Sequence, residues 1–445
     1  MTSVSTEQVS PKTLRKVIAA ATIGNFVEWF DFAVYGFLAT TIAQQFFPSG
    51  DTSAALLKTF AVFAVAFAFR PLGGIFFGML GDRIGRKRTL AMTILLMAGA
   101  TTLIGVLPTY AAIGVAAPIL LTLIRCAQGF SAGGEYAGAC AYLMEHAPND
   151  KRAWYGSFLP VSTFSAFAAA AVVAYALEAS LSAEAMGSWG WRLPFLIAAP
   201  LGLVGLYMRW RLDETPAFQA VTEELEIAHS PLKETLRNHG SAICCLGAFV
   251  SLTALSFYMF TTYFATYLQV AGGLSRATAL LVSLIALIFA AAICPLAGLY
   301  SDRVGRRATV VTACVLLIVA VYPSFMMASS GGFTASIIGV MLLAIGAVLC
   351  GVVTAALLSE TFPTRTRYTA SAITYNMAYT LFGGTAPLVA TWLISSTGSN
   401  LSPAFYLMAV ALLALAGGLA LPETSRISLH DVATPEKGSA AAATV

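Results

Sequence analysis

Charge is scarce in this sequence. Of 445 residues only 10% are Asp, Glu, Lys or Arg, against 58% hydrophobic, and the mean hydropathy is +0.79. A soluble domain carries about 25% charged residues, so the exterior of this protein is expected to face lipid rather than water. The usual marks of an enzyme are missing as well. No P-loop, H-E-x-x-H or G-x-S-x-G is present, which disfavours ATP-driven chemistry, zinc proteolysis and serine hydrolysis. The four histidines, His146, His229, His239 and His430, fall in loops or the tail. The seven cysteines, Cys126, Cys140, Cys244, Cys245, Cys294, Cys314 and Cys350, lie in apolar runs without C-x-x-C or Cys/His spacing, so they read as small buried side chains rather than metal ligands. No metal or cofactor is expected. The first apolar run, at 17–43, is too long for the apolar region of a signal peptide and is expected to remain as a membrane helix.

What the chain has instead is long apolar runs. A helix needs about 20 apolar residues to cross the hydrocarbon core, and in lipid the backbone must satisfy itself, so each span must be helical. Twelve spans are predicted, at 17–43, 55–80, 89–109, 113–144, 155–177, 192–210, 241–268, 277–300, 308–328, 334–358, 368–394 and 403–422. The implied organisation is an N-terminal six-helix bundle (1–210), a central loop (211–240), a C-terminal six-helix bundle (241–424) and a tail (425–445).

The net charge of +4 is not spread as a nucleic-acid-binding surface would be. Twenty of the 25 Lys and Arg fall in alternate loops and the two termini, while the opposite set holds only Lys58, Arg192 and Arg276. The positive-inside rule then places both termini and the central loop in the cytoplasm. The chain also repeats itself. Gly78 through Lys87 (GMLGDRIGRK) returns as Gly298 through Arg307 (GLYSDRVGRR), and Glu145, Pro148 and Arg152 return as Glu360, Pro363 and Arg367. Two matching halves are the mark of a duplicated transporter fold with its solute site near the bilayer midplane. In the repeated loops, Gly78 and Gly298 would let a neighbouring helix approach. Asp82 and Asp302 could pair with an Arg or a helix N-terminus. Gly85 and Gly305 would make the turn, and with Arg83, Arg86, Arg303 and Arg306 the pattern resembles the signature loop of the major facilitator superfamily, which implies a candidate gate.

Five ionisable residues fall well inside spans: Glu28, Asp31, Arg70, Arg125 and Glu135. Each would cost about 2.5–3.5 kcal/mol at a helix centre on insertion scales, so pairing, protonation or water must offset them. Glu28 and Asp31 share a helix face. Two close carboxylates cannot easily both carry charge in a low dielectric, which suits a proton carrier. Asp31 is the first choice and Glu135 the second; the alternative is a fixed ion pair with Arg70 or Arg125. Arg70 precedes Pro71 and the Gly73–Gly74 pair, which loosen the helix. Arg125 could fork a carboxylate, either a solute's or one of the protein's own. Gly129 and Gly133 are spaced for close helix packing or for backbone access. In the second half, Tyr263 and Tyr267, and Tyr375, Asn376 and Tyr379, could line a cavity and attract a quaternary ammonium.

The stretches Gly24 through Phe32 (GNFVEWFDF), Arg70 through Gly74 (RPLGG) and Gln128 through Glu135 (QGFSAGGE), with Trp189 through Phe195 (WGWRLPF) and Asp213 through Pro216 (DETP), resemble the metabolite:proton symporter family of the major facilitator superfamily. The resemblance runs from about Lys12 to Thr424. The run Gly134-Glu135-Tyr136, with Glu214 through Phe218 and Pro403 through Met408, is most similar to its proline/betaine branch. The long C-terminal coiled coil of osmosensing members has no counterpart after Ala433, and Arg125 is more like the organic-acid branch. The resemblance implies an all-α membrane fold of twelve helices in two six-helix pseudo-repeats. It implies proton-driven uptake of a small carboxylate-bearing metabolite, with a zwitterion such as proline or glycine betaine leading over 2-oxoglutarate or citrate. A proton-driven drug exporter is the remaining alternative. The expected partners are a small solute and the lipid bilayer, no nucleic acid, with the monomer as the working unit.

Overall fold

The computed structural model describes residues 11–84, 86–133, 136, 140, 143, 144, 147–210, 231–362, 367–425 and 427; side chains at 11–17, 20, 21, 78, 79, 81–90, 208–210, 231–238 and 367–369 stand outside that description. Among the described residues every regular element is a helix. In the first half these are α1 (Pro11–Phe37), α2 (Ala39–Phe46), α3 (Thr52–Ala68), α4 (Arg70–Ile84), α5 (Arg86–Val106), α6 (Tyr110–Ile113) and α7 (Ala116–Ser131). They continue with α8 (Arg152–Gly156), α9 (Phe158–Ser180), α10 (Ala183–Ser188) and α11 (Leu193–Trp210). The second half has α12 (Pro231–Tyr258), α13 (Phe264–Val270), α14 (Arg276–Val304), α15 (Arg306–Ser329) and α16 (Phe333–Glu360). It ends with α17 (Arg367–Ala378), α18 (Ala386–Thr397) and α19 (Ser402–Leu419). Nine of the described helices or joined helices are long and apolar enough to cross a membrane. The pair α1–α2, bent by 62°, makes a tenth, and the apolar stretches Ala91–Val106 and Ala116–Ser131 stand where the remaining two spans are expected.

The outer faces are apolar: Val319, Leu203 and Leu296 are more than 60% exposed, which only lipid makes favourable. Helix starts follow local chemistry. Asp51 accepts from Ser53 N ahead of α3, and Ser275 from Thr278 N ahead of α14, each satisfying an orphan donor. The helix of the seventh span begins at Pro231, ten residues before the predicted start at 241.

Within the first half α9 packs on α1, and α11 on α5; within the second, α15 packs on α16, and α12 on α19. The halves meet where α8 and α9 lie along α14, and where α3 meets α18. Two short π-helical segments, Met259–Tyr263 and Tyr379–Gly383, interrupt the seventh and eleventh spans. Such bulges recur at functional sites.

Small residues hold α7 against the second span. A Cβ at Gly129 would collide with the Ala66 carbonyl, and one at Gly73 with the Phe130 carbonyl. The helices touch backbone to backbone, so the packing reading of this glycine stretch prevails at these positions. The obstacles are carbonyl groups that cannot rotate aside, so Gly129→Leu is expected to cost about 3 kcal/mol of overpacking. Thermal unfolding in detergent should fall by several degrees; an unchanged midpoint would refute the close contact.

Candidate functional site: buried charge at the seam between the halves

Glu28 and Asp31 project from α1 and are 5% and 1% exposed. Arg70 stands where the second span breaks: Phe69 closes α3 with its N–H on Ala66 and Phe67 carbonyls, and α4 starts afresh at Arg70. The Arg70 guanidinium is fully buried. Its Nη2 is 3.9 Å from Glu28 Oε1 and 3.4 Å from the Ala132 carbonyl. Its Cζ lies 5.3 Å from the Phe67 ring centre and 5.8 Å from that of Phe32.

Arg125, on α7, is placed differently. Nη1 donates to Gln128 Oε1 at 2.8 Å, and Gln128 Nε2 donates to Thr101 Oγ1 at 2.6 Å. The guanidinium is covered by rings: its Cζ is 4.3 Å from the Tyr35 centre, 5.2 Å from Phe63 and 5.4 Å from Phe32. Asp31 lies within electrostatic range of Arg125 and beside Thr101. The Thr101 hydroxyl donates to the Met97 carbonyl, and within the described residues the Asp31 oxygens accept no hydrogen bond. Glu28 thus pairs with Arg70, Asp31 and Arg125 interact at longer electrostatic range, and both guanidiniums lie against the Phe32 ring. A crevice of about 10 Å³ runs between α1, α5 and α7, lined by Glu28, Asp31, Thr93, Met97 and Ser131 among others. That is room for about one water molecule.

The second half brings aromatics to the same place. Tyr258 packs edge-on to Phe67 at 5.2 Å and to Phe63 at 5.7 Å. Tyr379 stacks on Tyr375 at 3.9 Å, and Tyr375 on Tyr136 of the first half at 4.5 Å. Polar ties cross the seam: Asn376 Nδ2 donates to the Gly133 carbonyl at 2.9 Å, and Thr380 Oγ1 to the Phe67 carbonyl at 3.0 Å.

Both ends of the seam are closed. At the basic end, Glu360 accepts from Arg306 Nε and Nη2 at 3.0 Å each and from Arg152 Nη1 at 3.1 Å. Asp302 accepts from Arg306 Nη1 at 2.9 Å and from the backbone N–H groups of Ala153 and Trp154 at 3.0 and 2.9 Å. The strap after α19 reinforces this knot. Thr424 Oγ1 donates to Glu360 Oε2 at 2.8 Å, and the Ile427 carbonyl accepts from Arg152 Nη2 at 2.8 Å. Burial alone would raise Glu423, but backbone N–H groups of Arg306, Ser425 and Arg307 outweigh it and hold that carboxyl below the ordinary range. The opposite end is closed by neutral groups and one cation. Arg276 donates to Gln44 at 3.0 Å and Thr41 at 3.4 Å, Phe60 meets Tyr263 edge-on at 6.1 Å, and a Cβ at Gly36 would lie 2.7 Å from Thr262 Cγ2.

A family model described as Major Facilitator Superfamily matches residues 21–387, and again 295–443. The chain belongs to the Major Facilitator Superfamily. It is 40% identical over 432 residues to the "Proline/betaine transporter" of Salmonella typhimurium strain LT2, covering 95% of this chain and 86% of that protein. It is equally similar, over the same shares, to the "Glycine betaine/proline/ectoine/pipecolic acid transporter OusA" of Dickeya dadantii strain 3937. Among solved structures, the proton:xylose symporter XylE bound to 6-bromo-6-deoxy-D-glucose superposes with a TM-score of 0.74 at 17% identity, covering 95% of this chain and 99% of that one; this likeness shows the fold. As a member of the superfamily, near its proline/betaine branch, the chain is a multi-pass membrane transporter and not an enzyme.

The superfamily fold brings together Glu28, Asp31, Arg70, Arg125, Tyr375, Asn376 and Tyr379 from the predicted set. Tyr263 is buried at the opposite end against Phe60. Tyr267 is engaged elsewhere, its hydroxyl donating to the Asn400 and Phe325 carbonyls, so it is a brace of the second half. Glu135 and Gly85, and the side chains of Asp82, Arg83 and Arg86, lie outside the described residues. Arg303 is exposed, while Arg306 is fully buried and Gly305 turns with φ of 95°. Two expectations are corrected. The buried charges expected from the sequence, Glu28, Asp31, Arg70, Arg125 and Glu135, all lie in the first half, yet Arg306 and Glu360 of the second are 0% and 2% exposed; they sit at helix ends and neutralise each other. Not every cysteine is buried either: Cys244 is exposed and Cys126 and Cys245 are half-buried, which lipid tolerates as readily as a core. Sequence reading also missed Tyr258 as a seam residue and took Arg152 for a loop cation. The signal for Arg152 was there, because it lies in the repeated Glu–Pro–Arg spacing that returns at Glu360.

Proposed function

We propose that this transporter takes up a small carboxylate-bearing zwitterion of the proline and glycine betaine kind, driven by protons moving in the same direction. Asp31 carries the proton, and the basic end faces the cytoplasm of an inner membrane. The observation that carries this reading is Asp31, buried at the crevice for about one water and accepting no hydrogen bond among the described residues, with Arg125 within electrostatic range. A carboxyl there can take up and release a proton, and each proton carried with a neutral zwitterion moves one positive charge across the membrane. The named substrates of the 40% identical relatives and the aromatic seam, which suits a quaternary ammonium, support the zwitterion. The second guanidinium, Arg125, favours the runner-up, a dicarboxylate such as 2-oxoglutarate.

The test is uptake into proteoliposomes with an imposed pH gradient, using labelled proline, glycine betaine, 2-oxoglutarate, citrate and shikimate. Uphill accumulation of the zwitterions that collapses with an uncoupler is expected. Accumulation confined to 2-oxoglutarate or citrate would move the assignment to the runner-up. Indifference to the proton gradient would remove the coupling.

A further inference from the structure

We infer that the solute's carboxylate is received by Arg70 together with the phenol hydroxyls of Tyr258 and Tyr375, three donors drawn from both halves, and not by Arg125. This deepens the proposed function and rests on it.

The three groups share a property that few buried groups have. Arg70 Nε and Nη1, Tyr258 Oη and Tyr375 Oη are all buried, and none has a hydrogen-bond partner in the described structure. A guanidinium offers five N–H donors and a phenol one O–H, and buried polar groups are satisfied in the great majority of proteins. The unmet capacity here is on the donor side, so its complement is an acceptor. A carboxylate brings two oxygens and about four lone-pair sites, and an Arg fork, Nη2 with either Nε or Nη1, takes two of them side by side, using the N–H of Nη2 that is not given to the Ala132 carbonyl.

The groups are also close together. Arg70 and Tyr258 both lie against the Phe67 ring, at 5.3 and 5.2 Å from its centre. Tyr258 is 6.1 Å from Tyr379, ring centre to ring centre, and Tyr379 stacks on Tyr375. Arg70 is near enough to Tyr258, Tyr375 and Tyr379 to interact electrostatically with each. The Tyr379 hydroxyl neighbours that of Tyr375 but meets no strict hydrogen-bond geometry with it, so an anionic oxygen would be the stronger acceptor. Next along α17, Asn376 Nδ2 ties the segment to the Gly133 carbonyl, which holds Tyr375 in register with α4.

Arg125 has spare donors too, but its place argues against a cargo role. Three rings of the first half, Tyr35, Phe63 and Phe32, cover it, and Gln128 engages it within that half. Arg125 shares Tyr258 with Arg70, but it is Arg70 that has Tyr375 and Tyr379 within electrostatic range as well. A solute on Arg70 with Tyr258 and Tyr375 draws the halves together, which is what closing over cargo requires. Two of these hydroxyls border the π-helical segments, Tyr258 immediately before Met259 and Tyr375 one turn before Tyr379. The cationic end of the zwitterion would then lie toward the rings of Trp29 and Phe257, whose centres are 5.2 Å apart.

The experiment uses the full chain in proteoliposomes, with glycine betaine as the transported probe and choline, the same cation without the carboxylate, as a competing ligand. Tyr258→Phe and Tyr375→Phe each remove one hydroxyl and keep the ring. Each is expected to raise the KM for glycine betaine about tenfold, in keeping with a hydrogen bond to a charged group, and to leave inhibition by choline unchanged. Arg70→Lys, which keeps the charge and loses the fork, is expected to exceed either. Wild-type KM for glycine betaine in both phenylalanine variants overturns the inference, and so does an equal loss for glycine betaine and choline. Failure of the wild-type protein to take up glycine betaine or proline at all would be the failure of the functional reading itself, and the carboxylate seat would fall with it.

Discussion

Asp31→Asn is expected to abolish uphill accumulation while leaving exchange of solute across the membrane intact. One proton per solute moving down about 100 mV supplies about 2.3 kcal/mol, or roughly a fiftyfold concentration ratio. The asparagine keeps the size of the side chain beside Thr101 and Arg125 and removes only its capacity to titrate. The accumulation ratio should fall to about one, and counterflow of preloaded solute should continue. Asp31 is 1% exposed and borders the crevice between α1, α5 and α7, so its replacement touches no helix–lipid surface. Fiftyfold accumulation by the asparagine variant under an imposed potential would exclude Asp31 as the carrier. The remaining candidates would then be Glu135 and Glu28, the latter bordering the same crevice one turn away.

The second large effect belongs to the basic end. Glu360 is 2% exposed and holds two guanidiniums, Arg306 of its own half and Arg152 of the other, while Thr424 donates to it from the strap. Removing one member of a buried ion network costs about 3–5 kcal/mol because the partners stay buried and uncompensated. Glu360→Gln should therefore weaken closure at this end by a factor of at least about a hundred, since closing then buries Arg152 of the other half without its acid. The expected result is alkylation of a cysteine introduced by Ala153→Cys, in a background lacking the native cysteines, at least about a hundredfold faster in Glu360→Gln than without it. Ala153 is a sensitive reporter because it is fully buried at the start of α8, where its N–H donates to Asp302. Equal alkylation rates would mean that the network is not what keeps this end shut. The strap gives a milder version: Thr424 contributes one hydrogen bond to Glu360, worth about 1.5–3 kcal/mol for a charged partner.

These two sites differ in how legible they were. Asp31 announces itself, because an acid amid Trp29, Phe30 and Phe32 is costly wherever the helix sits, and that cost is a local property. Glu360 and Arg152 did not. Each lies at the edge of an apolar run, where a charge costs little if it reaches water. Only the meeting of residues 208 positions apart shows that neither does. The same holds for Tyr258, whose neighbours within α12 give no hint that Phe67 and Arg70 of the other half stand against it. Arg70 and Arg125 are equivalent in one dimension, two guanidiniums inside spans. Their surroundings differ: Arg70 sits at the break between α3 and α4, against the second half, while Arg125 is enclosed by Tyr35, Phe63 and Phe32.

By itself the sequence determined the spans, the duplication, the family and the presence of charge that lipid-depth helices must accommodate. Those follow from hydropathy, spacing and the cost of each residue in its own surroundings. Only the tertiary structure decided which acid faces which guanidinium, which tyrosines have a hydroxyl to spare and which loop cations are locked inside. Pairing is a contact between distant parts of the chain, and the periodicity of a single helix carries no information about its partner.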